Sequence, residues 1–246
     1  MREITELIET QNKVNVKELA SIFNVSEKTI RLDLNKLEKT GVLFRTHGGA
    51  IKRSFVLDDQ LFGGVKKYEQ HIKQKQEIAQ KALSLIKENY TICLDSGSTT
   101  FEIAKLLGDF PVSVITHDLN IITELARKEN VELLIVGGLL SKNDMIIFSE
   151  ESAKFIHKQT ANIAFIGTSF VSCNNGYTLF KRADKEIKKA YMQISDNVYC
   201  VVDSSKFEQK ALTRLARVSE MPNLITDSCL DDELKALYTQ NNFNII

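Results

Sequence analysis

Proline is nearly missing from this chain: Pro111 and Pro222 are its only two in 246 residues. That excludes a proline-rich stalk or stiff extended spacer. Tryptophan is absent, and the four cysteines, Cys93, Cys173, Cys200 and Cys229, are scattered. They form no Cys-x-x-Cys pair and no histidine stands at finger spacing, so no zinc ribbon or finger is expected and the metal expectation is none. Three of the cysteines sit in or beside apolar segments, which predicts reduced core thiols and a cytoplasmic protein. The most apolar stretch, residues 131–140, has about half the length a membrane helix requires and holds two glycines. Residues 1–12 read as an amphipathic helix dotted with glutamates, so no signal peptide is expected and no membrane partner. Net charge is also lacking, with 32 basic against 32 acidic side chains.

What is present suits a small head and a larger domain with its own core. Hydrophobic residues make up 43% and charged residues 26%, an ordinary globular balance. The charge is unevenly placed: residues 1–53 hold ten Lys and Arg against seven Asp and Glu, a net of +3 that leaves −3 for the remainder. A mildly basic end on an acidic body fits contact with nucleic acid through that end alone.

The basic end carries an ordered pattern. A helix over residues 2–11 buries Ile4, Leu7 and Ile8. Val16, Leu19, Ala20 and Phe23 give a second helix one apolar face, and Asn24-Val25-Ser26 breaks it. Ser26 is suited to cap a third helix through its hydroxyl. In that helix Ile30, Leu34 and Leu37 point inward, leaving Lys28, Thr29, Arg31 and Asn35 outward, as a helix entering the major groove requires. Val42-Leu43-Phe44 and Ala50-Ile51 then bracket Arg45-Thr46-His47-Gly48-Gly49 as a hairpin. A three-helix packing module without DNA has the same helices, but not this order of turn, helix and hairpin together with the charge.

Thr29-Ile30-Arg31, Asp33-Leu34, Leu37-Glu38, Gly41 and Arg45-Thr46-His47-Gly48-Gly49-Ala50 together resemble the DeoR-type winged helix-turn-helix of bacterial transcription regulators. The resemblance implies operator contact by Ser26, Lys28, Thr29, Arg31 and Asn35 from the third helix, and by Arg45, Thr46, His47 and Gly48 from the wing. One position departs: the family's second basic residue is here Leu32.

Residues 54–66 read as a linker. A long helix over 67–89 follows, and from Tyr90 short Val/Ile/Leu-rich strands alternate with helices. Strands are expected at 91–94, 112–115, 131–136, 161–166, 197–202, 224–226 and 243–246. Helices are expected at 100–107, 119–128, 151–158, 183–195 and 231–240. This rhythm predicts an α/β domain, residues 67–246, whose mostly parallel sheet is covered on both faces. Ligands of such sheets sit at the carboxyl ends of the strands. There Asp95-Ser96-Gly97-Ser98-Thr99-Thr100 offers backbone N–H groups and hydroxyls at a helix N-terminus, a cradle for phosphate. An ordinary capped turn has the same composition, and Asp95 is alternatively an acceptor for a sugar hydroxyl. Thr116-His117, Gly137-Gly138, Gly167 and Asp203-Ser204-Ser205-Lys206 end neighbouring strands, with Lys206 the cation placed for a phosphate. Lys188-Lys189 read as an exposed helix face able to approach the same anion, and His71 and His157 as solvated.

Asp95 to Thr100, Gly137-Gly138, Ile166-Gly167, Glu186 with Lys188-Lys189, and Asp203 to Phe207 resemble the sugar-phosphate sensor domain of DeoR-type regulators, similar in fold to ribose-5-phosphate isomerase. The departures are His117 where the family has asparagine, Ser149-Glu150 near a usual glycine, and Phe170 at a second glycine. The resemblance implies a homodimeric or homotetrameric repressor of carbohydrate genes. Double-stranded operator DNA and a small phosphorylated sugar effector would be its partners, and no cofactor is implied. Two other functions compete. An isomerase or deaminase with a DNA-binding head needs carboxylate bases, and the loop Gly167-Thr168-Ser169-Phe170 has none. Asp95, Asp184 and Glu186 remain as candidate bases, Glu186 reading as surface charge among lysines, but no catalytic residue is assigned and the chain is expected not to be an enzyme. A DNA-binding protein whose pocket has decayed is the other.

Overall fold

The structure is a computed structural model that describes residues 2–11, 13–40, 42–45, 48–52, 68, 70–180 and 184–246. The expected linker and two expected wing residues, Thr46 and His47, lie outside the described residues. The chain divides into two compact units, Met1–Gly63 and Gly64–Ile246.

In the first unit, α1 (Arg2–Gln11), α2 (Val16–Phe23) and α3 (Glu27–Lys39) close over one core. Ile4, Ile8, Leu19, Ile30, Leu34 and Leu37 are buried in it. Asn24 takes a left-handed conformation at φ 49° to end α2, a role asparagine fills more readily than most residues. The wing strands β2 (Leu43–Arg45) and β3 (Gly49–Lys52) pair antiparallel, with Arg45 opposite Ala50. A third strand that the sequence does not announce, β1 (Lys13–Asn15), pairs with β3. At three residues it is too short for alternation to register. Asn15 then caps α2, its side chain accepting from Lys17 N at 2.8 Å.

The second unit opens with α4, which is Ile72–Leu83 rather than the expected 67–89. Leu85 and Ile86 donate to carbonyls three residues back, tightening the chain into a turn, and Asn89 adopts φ 63°. Ile86 stays buried, so the apolar rhythm outlasts the helix that suggested it. Seven strands follow in one all-parallel sheet. They are β4 (Thr91–Leu94), β5 (Val112–Thr116), β6 (Val131–Ile135), β9 (Ala161–Gly167), β12 (Ser195–Val201), β14 (Asn223–Ile225) and β15 (Asn244–Ile245), ordered 15-14-12-9-4-5-6. Both faces are covered. On one, Ile92, Leu94, Ile163 and Phe165 meet α4, α5 (Ser98–Leu107) and α6 (Leu119–Leu125). On the other, Cys93, Ala164, Ile166 and Cys200 meet α7 (Ser152–Ile156), α8 (Lys185–Ile194) and α9 (Asp232–Gln240).

Two smaller sheets are additions to the expected architecture. Residues Leu139–Ser141 (β7) and Ile146–Phe148 (β8) form a hairpin. Phe170–Ser172 (β10), Gly176–Leu179 (β11) and Thr213–Ala216 (β13) form an antiparallel sheet. Only Cys93 and Cys200 are buried, while Cys173 is half-buried and Cys229 exposed, which corrects the expectation of three core thiols.

Gly49 is the tightest backbone approach in the head: a Cβ there would stand 1.9 Å from the Val14 carbonyl oxygen. Gly49→Ala is expected to destabilise the head by about 2 kcal/mol, lowering its calorimetric transition by roughly 8–16 °C. An unshifted transition would contradict the pairing of β1 with β3.

Candidate functional site

In the head, Ser26 Oγ accepts from Thr29 N at 3.2 Å and lies 2.9 Å from Thr29 Oγ1. This is the expected cap, and it fixes where α3 starts. Lys28, Thr29, Arg31 and Asn35 are exposed. Arg31 Nη2 sits 3.2 Å from Glu27 Oε2, both side chains being largely exposed, a pair weak enough to exchange for a stronger anion. Arg45 is held differently. Its backbone N donates to Glu38 Oε1 at 3.1 Å, and its Nη1 donates to Gly49 O at 2.8 Å. The guanidinium thus ties the base of the wing. Gly48 is exposed, and its carbonyl accepts from Val16 N at 2.8 Å.

In the second unit the chain builds β4, β5 and β6 outward in one direction, then crosses to β9 on the other side of β4. The carboxyl ends of β4 and β9 therefore flank a topological switch point, where crevices form in open α/β sheets. Asp95 follows β4 and is fully buried. Its Oδ2 accepts from Gly167 N at 2.8 Å, at the end of β9, and from Lys188 Nζ. Lys188 also lies 3.2 Å from Asp184 Oδ2. Sequence reasoning set Lys188 on an exposed face; it is 3% exposed. The cause is charge balance, since two carboxylates offset the desolvation of one ammonium. Desolvation lowers the Lys188 pKa, but Asp184 and Asp95 outweigh it and hold the pKa above its ordinary value. Burial raises Asp184, and Lys188, with His117 and a backbone hydrogen bond, more than reverses that, so Asp184 stands below its ordinary value. A signal was present: Ile187, Ala190, Tyr191 and Ile194 mark the inner stripe of α8, and Lys188 lies beside it with Asp184 one turn earlier.

His117 directly follows β5 and is fully buried. Its Nδ1 is 3.2 Å from Tyr191 Oη. Burial pushes the Tyr191 phenol well up, so it stays neutral, and either the phenol or Nδ1 is the donor across this contact according to the imidazole tautomer. Burial first, then Lys188, pulls the His117 pKa down to about 4 against the pull of Asp95. Four buried side-chain atoms among the described residues have no hydrogen-bond partner, and Asp95 Oδ1 and His117 Nε2 are two of them.

Gly97 precedes α5 and its N donates to Asp118 Oδ2 at 3.3 Å, while its carbonyl accepts from Thr100 Oγ1 at 2.9 Å. Ser98, Thr99 and Thr100 are buried and Ser96 half-buried. Thr116 Oγ1 accepts from Asp118 N at 3.2 Å. Asp95, Gly97, Thr100, Thr116, His117 and Gly167 are thus brought together through Asp118 and the strand ends, joined by Lys188, Asp184 and Tyr191, which were not assigned to the site. Gly137 and Gly138 serve the hairpin: Gly137 O accepts from Ser152 Oγ at 3.2 Å, and a Cβ on Gly138 would meet the Phe148 backbone at 2.4 Å. Lys206 lies in a turn where the Asp203 side chain accepts from Ser205 N at 3.1 Å and Ser204 N donates to Asp227 Oδ2 at 2.7 Å.

A winged reading head joined to an α/β ligand-type sheet defines a DNA-binding regulator. Residues 1–54 match the DeoR-like helix-turn-helix domain and residues 70–228 the DeoR C terminal sensor domain; the chain belongs to the DeoR family of transcriptional regulators. It is 33% identical over 241 residues to the L-fucose operon activator of Haemophilus influenzae, covering 97% of this chain and 95% of that one. It is 30% identical to the glycerol-3-phosphate regulon repressor of Escherichia coli K12, covering 92% and 88%. With the putative aga operon transcriptional repressor of Escherichia coli O157:H7 it shares 27%, over 96% and 88%. Among solved structures, ribose 5-phosphate isomerase A from Methanocaldococcus jannaschii superposes with a TM-score of 0.41 at 19% identity, over 56% of this chain and 55% of that one, a likeness too slight to bear on function.

Lys188→Met would leave Asp95 buried without its cation and is expected to destabilise the second unit by about 3–5 kcal/mol, read by urea denaturation. His117 adds an acid-sensitive contribution. The unfolded imidazole takes up its proton near the ordinary 6.5, and the folded one only near 4. The unfolded chain therefore binds more protons across that window, and stability falls as pH drops through it, by up to roughly 3 kcal/mol. Asp184, whose pKa is lowered from 3.8, loses its contribution only at lower pH. Denaturation midpoints from pH 7 to pH 4 should show this slope in the parent and a flatter one in His117→Asn; parallel slopes would refute it.

Proposed function

We propose that this regulator represses genes of carbohydrate metabolism from the cytoplasm, binding double-stranded operator DNA as a homodimer or homotetramer, and that a small phosphorylated sugar alters that binding. The observation that carries the DNA half is α3, whose apolar back is buried while Lys28, Thr29, Arg31 and Asn35 face outward. In the major groove these donors reach base edges and phosphates, and two heads on a two-fold axis read half-sites roughly 34 Å or a multiple apart. The effector half rests on Asp95 Oδ1 and His117 Nε2, a buried carboxylate oxygen and a buried ring nitrogen left open beside the N-terminus of α5. Sugar hydroxyls, which both donate and accept, suit these two atoms, and the helix N-terminus favours a phosphate.

Binding without turnover follows from the same cluster. Asp95 is bound to Lys188 and Gly167 and is a poor general base, and Thr168-Ser169-Phe170 supplies no acid. Among the described residues no helix is long and apolar enough to cross a membrane.

Anisotropy of the purified protein on DNA upstream of its own gene, with a scrambled duplex at the same salt, tests the first half. Arg31→Ala is expected to weaken the natural duplex by about 5- to 150-fold, with less effect on the scrambled one; equal binding by the variant would remove Arg31 from the reading face. A thermal-shift panel of sugar phosphates tests the second. Saturable stabilisation by at least one is expected, and none across the panel would mark a regulator without this effector class.

A further inference from the structure

Leu32 is an apolar side chain at the summit of a face that is otherwise polar. At about 100° per residue, Ile30, Leu34 and Leu37 form a stripe turned into the core, and Leu32 lies roughly 170° from its centre. It is 53% exposed. Its surface neighbours at i−4, i+3 and i+4 are Lys28, Asn35 and Lys36, all exposed. Within the head, then, the core places no demand on this residue, and its neighbours select what can cover it. A second copy of this face would set Lys28 and Lys36 against their own like charges, whereas a polyanion satisfies them.

With α3 in the major groove, its summit is the part that comes nearest the floor. The floor presents hydrogen-bonding groups at every base pair and one apolar group, the 5-methyl of thymine. We propose that Leu32 is a specificity-determining residue that packs on a thymine methyl group in each operator half-site, so that this protein reads by apolar contact at a position where a basic side chain would read guanine. The proposal rests on the operator reading above and adds a residue and a base to it.

The test uses the full chain and a duplex recovered with it from a random pool. Each thymine of that duplex is replaced in turn by deoxyuridine, which removes only the methyl. For the parent, one position per half-site should weaken about three- to fivefold on replacement, the order expected for one buried methyl. In Leu32→Ala that position should bind thymine and uracil equally, while responses elsewhere are retained. Leu32→Asn serves as a second variant, and both should melt with the parent because the residue is exposed. No methyl-sensitive position in the parent, or the same sensitivity in both variants, overturns the assignment of Leu32. Failure to enrich any duplex would instead overturn the operator reading itself.

Discussion

The ion pair between Lys188 and Asp95, with Asp184 beside it, is the constraint around which the second unit is arranged. A lone ammonium at 3% exposure would be intolerably costly, and a lone carboxylate at Asp95 equally so. Together they fasten α8 to the carboxyl end of β4, and Asp95 reaches across to the backbone of Gly167 at the end of β9. The three segments that meet at the switch point are thereby fixed by polar geometry in addition to their shared apolar core. Such a device favours one arrangement over near alternatives more than it adds net stability.

His117 belongs to the same neighbourhood but to a different logic. It is neutral and tethered through Tyr191, so its ring orientation is set from the α8 side while its backbone belongs to the loop after β5. An asparagine there would present a carbonyl and an amide; the imidazole instead leaves one buried ring nitrogen, Nε2, without a partner.

Much of this architecture was legible because its signals are local and repeated. The strands from Thr91 onward are short apolar runs between helices, and the pattern requires a parallel sheet with two covered faces. Ser26 reads as a cap from its place before Thr29 and Ile30. What escaped was short or distant. The strand at Lys13–Asn15 and the hairpin at Leu139–Phe148 span three residues per strand, below the length at which alternation shows. Ile86 lengthened a helix on paper because burial in a turn and burial in a helix look alike in one dimension. Lys188 was placed in solvent because a lysine is seldom buried, and its partner Asp95 lies 93 residues away. The bond from Arg45 to the Gly49 carbonyl joins two residues of paired strands and shows only in the folded wing.

That separation of 93 residues sets an order of events as the chain leaves the ribosome. The strands β4, β5 and β6 are synthesised before α8, and of the other four sheet strands only β9 precedes Lys188, so Asp95 waits without its cation while the intervening segments are made. Closing so long a loop carries an entropic cost that local contacts cannot offset early. The buried pair is therefore a late event, and until Lys188 arrives the switch point is a hydrated edge rather than a site. A nascent or truncated chain that ends before α8 would hold the sequence from Asp95 to Thr100 intact and still lack the cation that buries Asp95.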